Sequence, residues 1–72
     1  MTQEICNGIV KRFFLNKGFG FITPEAGGDD VFFHYSQIKE GKSSEVREGQ
    51  KVSYTVVRGD KGFHANDVSL LD

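Results

Sequence analysis

Along most of the chain apolar and polar residues alternate in short runs broken by glycine-rich and acidic turns, the period of two that belongs to strands. Ile5 to Phe14 is rich in β-branched and aromatic residues and predicts a first strand. Phe19 to Thr23 follows after Lys17-Gly18, and Val31 to His34 after the turn Pro24-Glu25-Ala26-Gly27-Gly28-Asp29, which together predict a three-stranded meander. Ser36-Gln37-Ile38 fits a short helical turn, and Lys39 to Glu48 reads as a long polar connection. Val52, Tyr54 and Val56 then alternate with Lys51, Ser53 and Thr55 in a fourth strand. Arg58-Gly59-Asp60-Lys61-Gly62 is a turn, and Phe63 to Leu71 a fifth strand.

Five short antiparallel strands with a long connection after the third predict an all-β chain without substantial helix, closed into a small barrel because closure removes exposed edges. The core is expected from Val10, Ile22, Val31, Phe33, Ile38, Val52, Val56, Val68 and Leu70. With Val10 inside, Arg12, Phe13 and Phe14 cannot all obey simple alternation, so the first strand should carry a bulge or strong bend.

The opposite parity carries rings. Phe19 and Phe21 share one face of their strand, as do Phe32 and His34. A single phenylalanine in a strand is usually core. Four rings on one parity, opposite Ile22, Val31 and Phe33, reverse that reading and predict an exposed aromatic platform, with intervening glycines leaving it open. Lys17 stands at its edge, where a phosphate would pass. Such an arrangement stacks unpaired bases while holding their backbone.

At 72 residues the chain is expected to form one small domain, 1–72, with no room for a buried active-site cleft. A single cysteine, Cys6, excludes an internal disulfide and cannot supply a metal cluster, which fits a reducing, cytoplasmic setting. No stretch approaches the roughly 20 apolar residues of a membrane span, and the N-terminus lacks a targeting pattern. The net charge of −1 lacks the basic balance of many nucleic-acid binders. Placement offsets this: Lys11, Arg12 and Lys17 surround the aromatic segment, Arg58 and Lys61 fall in a later loop, and Glu40, Glu45 and Glu48 collect elsewhere. No nucleophile stands beside a base and no metal-ligand set exists, so neither catalysis, a cofactor, a metal nor a small-molecule substrate is expected. The segment Lys17 to Ile22 also matches the RNP1 pattern of an RRM, but that fold needs two helices.

The residues carrying these features resemble the bacterial cold-shock proteins, the free-standing cold-shock domain. The resemblance runs from Gly8-Ile9-Val10-Lys11 through Asn16-Lys17-Gly18-Phe19-Gly20-Phe21-Ile22-Thr23-Pro24 and Asp30-Val31-Phe32-Phe33-His34-Tyr35-Ser36. It continues in Glu48-Gly49-Gln50-Lys51-Val52, Lys61-Gly62 and Val68. It implies an OB-fold barrel that binds single-stranded RNA and DNA with little sequence demand, an RNA chaperone of the stress response. Carried over by position, the binding surface falls on Lys11, Lys17, Phe19, Phe21, Asp30, Phe32, His34, Tyr35 and Lys61. A monomer is expected, with a strand-swapped dimer as the alternative. An OB-type protein-interaction module is the competing reading, because exposed aromatics also serve protein interfaces.

This chain departs from the family pattern at informative places. Where a tryptophan is usual, Arg12 stands; a guanidinium can still lie on a base and adds a cation–π contribution. Ser43 and Ser44 lie near the place of a usual aromatic. Phe14 replaces an asparagine and Phe63 a proline. Each either restores stacking area or packs against the barrel, Phe63 being preferred as the replacement stack because its loop should border the binding face.

Overall fold

The computed structural model describes residues 5–59 and 62–71. The strands are β1 (Ile5–Phe14), β2 (Phe19–Pro24), β3 (Val31–His34), β4 (Ile38–Glu40), β5 (Lys51–Gly59) and β6 (Gly62–Leu70). Single 3-10 turns occupy Tyr35–Gln37 and Ser43–Glu45. β1, β2 and β3 form the expected antiparallel meander, and β5 and β6 an antiparallel hairpin. The ten-residue β1 also pairs with β5, with Gly8 and Ile9 shared between both neighbours. Parallel pairing of β3 with β6, at Phe32 and His64, closes the ring β1-β2-β3-β6-β5. The five-stranded closed barrel read from the sequence is therefore borne out, with one parallel seam.

The connection after β3 is more ordered than its polarity suggests. β4 lies parallel to β6 through Ile38 opposite Val68. A three-residue strand with one buried-facing aliphatic is too short to produce an alternating pattern.

The expected irregularity in β1 is a bulge at Lys11. Val10 pairs with Ile22 but Arg12 pairs with Phe21, so one extra residue is accommodated between them. The parity of β1 inverts there. Val10 points into the barrel before the bulge and Phe13 after it, stacking on Phe33 with centroids 5.6 Å apart at 12°. Arg12 and Phe14 are thereby turned outward.

Val10, Ile22, Val31, Phe33, Val52 and Val68 form the core as expected, with Ile38 and Leu70 packed against it. Val56 is a correction: it is 37 % exposed. It pairs with the buried Ala65 but lies where the barrel opens into a hollow lined also by Val31, Tyr54 and Phe63. Tyr54, Ala65 and Val46 complete the core instead. No helix among the described residues is long and apolar enough to cross a membrane.

Tyr54 is only 1 % exposed, and its hydroxyl has no hydrogen-bond partner among the described residues. Burial pushes its pKa above the ordinary 10.0, and the electrostatic influence of the facing Cys6 acts in the same direction. An unpaired buried hydroxyl costs about 1–3 kcal/mol. Tyr54→Phe is therefore expected to raise the melting temperature at neutral pH. Above pH 10 the unfolded chain gives up the phenolic proton while the folded one keeps it, so stability declines with rising pH. That component of the decline should vanish in Tyr54→Phe. Paired thermal scans between pH 7 and about 11 check both parts; a lower melting temperature in the variant at neutral pH would contradict the first.

Candidate nucleic-acid interface

Antiparallel pairing of β2 with β3 sets Phe19 opposite His34 and Phe21 opposite Phe32. Cross-strand partners share a face, so all four rings lie outside while Ile22, Val31 and Phe33 fill the core. Phe19 is central: its centroid lies 5.5 Å from Phe32 and 6.1 Å from Phe21. Phe19 and Phe32 are tilted by 31°, whereas Phe21 stands at 89° to Phe19 and 69° to Phe32. The rings partly cover one another, each contact contributing about 0.5–1.5 kcal/mol beyond area burial. Phe32 remains 38 % exposed.

The bulge adds a further ring. Phe14 pairs with Phe19 and lies 5.3 Å from it, centroid to centroid. The amides of Lys17 and Gly18 both donate to the Phe14 carbonyl, tightening the turn so that the Lys17 ammonium sits 5.8 Å from the Phe14 ring centre. This lies within cation–π range. A cation is thus held at the border of the platform.

At the other end His34 and Tyr35 are 4.6 Å apart. The Ser36 amide donates to His34 Nδ1 at 3.2 Å, capping the 3-10 turn. Because that amide can only donate, Nδ1 is the acceptor and the neutral ring carries its proton on Nε2, a donor for a ligand. Tyr35 lies over Gly18, where an added Cβ would stand 2.7 Å from the Tyr35 ring and where φ is +79°. Only glycine suits both conditions.

The glycine between Phe19 and Phe21 has a different role from the one its spacing suggests. Gly20 faces inward, where an added Cβ would run into the Arg12 carbonyl oxygen and would stand 2.8 and 2.9 Å from Phe33 and Phe13. Its missing side chain makes room for the Phe13–Phe33 stack beneath the platform. The platform is open because of strand parity, not because of Gly20.

Charge gathers on the bulged side. Lys11 Nζ lies 2.9 Å from Asp30 Oδ2, and the Thr23 hydroxyl donates to Asp30 Oδ1 at 3.4 Å. The pair is solvent-accessible, so it orients these groups more than it stabilises the fold. Lys11, Arg12, Phe21 and Asp30 together line a shallow hollow beside the rings.

The fold thus brings Lys11, Arg12, Phe14, Lys17, Phe19, Phe21, Asp30, Phe32, His34 and Tyr35 onto one continuous surface. Phe63 is not part of it. It is 44 % exposed, but it lies on the inward parity of β6 with Ala65 and lines the hollow at the barrel mouth with Val31 and Val56. Lys61 lies outside the described residues. His64 is set beside Phe32 on the ring-bearing face by the parallel seam. No spacing rule could have signalled it, since the two residues meet only through barrel closure.

Comparison with known proteins agrees with this geometry. The family model described as 'Cold-shock' DNA-binding domain matches residues 6–71. The chain is 49 % identical over 65 residues to the major cold shock protein CspA of Pseudomonas aeruginosa, covering 90 % of this chain and 93 % of that one. It is 50 % identical over 64 residues to the cold shock-like protein CspG of Shewanella violacea, covering 89 % and 91 %. A solved structure titled drosophila Unr CSD456 superposes with a TM-score of 0.81 at 21 % identity. It covers 97 % of this chain, which spans 28 % of that longer one, and it shows the shared fold. Motifs, barrel topology and relatives converge: this chain belongs to the cold-shock DNA-binding domain family.

Proposed function

We propose that the protein binds unpaired RNA and DNA strands by stacking bases on the ring row, with low sequence demand over most of the row. In this reading it acts on RNA as a chaperone of the cold-shock type. Four rings, Phe14, Phe19, Phe21 and Phe32, lie at centroid spacings of 5.3–6.1 Å on an outward sheet face, the His34–Tyr35 pair follows where His34 stands opposite Phe19, and this observation carries the reading. Rings on a sheet reach bases only when those bases are unpaired, and every base offers a π-face. Lys11, Arg12 and Lys17 border the row where the sugar-phosphate backbone would run. The same relatives support nucleic acid over a protein partner, and cations spaced along a row of rings suit a strand that offers phosphates and bases together.

Fluorescence anisotropy with a labelled oligothymidine and with a blunt duplex of equal length tests this. The single strand should bind at least tenfold more tightly. About three or four phosphate contacts at roughly 0.7 each give a log–log salt slope of about −2 to −3, shallow because stacking carries much of the affinity. Equal affinity for duplex, or no binding to either, rejects the proposal.

A further inference from the structure

We infer that the hollow formed by Lys11, Arg12, Phe21 and Asp30 is a guanine-recognising subsite, which gives this chain a base preference at one position of the bound strand. The inference rests on the binding reading above. Phe21 is turned at 89° to Phe19, so it is set apart from the tilted Phe19 and Phe32 pair and lines this hollow instead. Arg12 is its cross-strand partner, brought outward by the bulge at Lys11. A base stacked on Phe21 therefore presents its edges to a guanidinium, an ammonium and a carboxylate.

That combination of groups discriminates. A carboxylate only accepts, and its two oxygens match two adjacent N–H donors. Guanine presents such a pair, N1–H beside its 2-amino group, on its Watson–Crick edge. It also presents O6 and N7, two acceptors that the planar fork of arginine reads together. Thymine and uracil flank one N–H with two carbonyl oxygens, which a carboxylate repels. Adenine and cytosine supply one amino group but lack the paired donors. Asp30 is held in place by Lys11 at 2.9 Å and by Thr23 at 3.4 Å, so the acceptor is oriented before a base arrives. Arg12 is the group that makes this subsite distinctive, since lysine alone is a point charge without the fork.

The test uses wild-type protein and a set of oligothymidines carrying one guanine at successive positions, read by anisotropy. One position should gain about tenfold in affinity, within the range of a bidentate arginine–guanine contact. At that position 7-deazaguanine, which lacks N7, and inosine, which lacks the 2-amino group, should each lose most of the gain. Arg12→Gln should lose the dependence on N7, and Asp30→Asn the dependence on the amino group, each read as the ratio of guanine-oligomer to plain oligothymidine affinity within the same variant. Oligothymidine binding with no guanine advantage anywhere, or an advantage unchanged in Arg12→Gln, overturns the subsite and leaves the binding reading standing. Absence of binding to every oligomer overturns both.

Discussion

Phe33→Ala is expected to remove most of the barrel's stability. Phe33 is fully buried, stacks on Phe13 at 5.6 Å and closes over Gly20. Truncating such a ring costs about 3–5 kcal/mol, because the cavity cannot collapse between strands fixed on both sides. A barrel of this size, without a disulfide to constrain its unfolded state, sits at the low end of the usual range of about 5–15 kcal/mol. With about 4–8 °C lost per kcal/mol in a chain of this length, the melting temperature should fall by at least about 12 °C. Circular dichroism during a thermal scan measures it. A midpoint within a few degrees of wild type would show that Phe33 is not the centre of the core.

Its sequence neighbour should behave in the opposite way. Phe32→Ala and Phe19→Ala are expected to fold and to weaken oligonucleotide binding by about 1–3 kcal/mol each, the usual contribution of one stacked base. Phe19 should show the larger loss, since it touches Phe14, Phe21 and Phe32 and its removal disturbs all three. For the same reason the double variant should lose less than the sum of the two singles. Phe63→Ala serves as the control and should retain affinity, because its ring lies at the barrel mouth rather than in the row. Anisotropy titrations at one salt concentration compare the four variants with wild type. Wild-type affinity in both Phe19→Ala and Phe32→Ala, with a loss confined to Phe63→Ala, would move the binding face to the other side of β6.

The platform was legible in the sequence because strand parity is local. Once Phe19 to Thr23 and Val31 to His34 are strands, the period of two places Phe19, Phe21, Phe32 and His34 together and sends Ile22, Val31 and Phe33 inward, whatever the rest of the chain does. The bulge was legible for the same reason, as a conflict of parity between Val10 and Phe14. Its position was not. Only the registers Val10 with Ile22 and Arg12 with Phe21 identify Lys11 as the extra residue. That register decided that Phe14 joins the row and that Arg12 faces Phe21.

Contacts between segments distant in the chain lie beyond any local pattern. The parallel seam brings His64 beside Phe32, two residues separated by the whole second half of the barrel. Phe63 looked suited to binding because it follows Lys61-Gly62, but its side depends on how β6 pairs with β5, and that pairing puts it with Ala65 and Val56. Likewise Tyr54 displaced Val56 from the core because the mouth of the barrel, which no alternation encodes, opens at Val56. What the sequence by itself determined was the five strands of the barrel, the aromatic face and its cations, through side-chain parity and residue type. Closure decided which residues from other strands border that face, because the register of a seam between remote strands is set by the packing of the whole core.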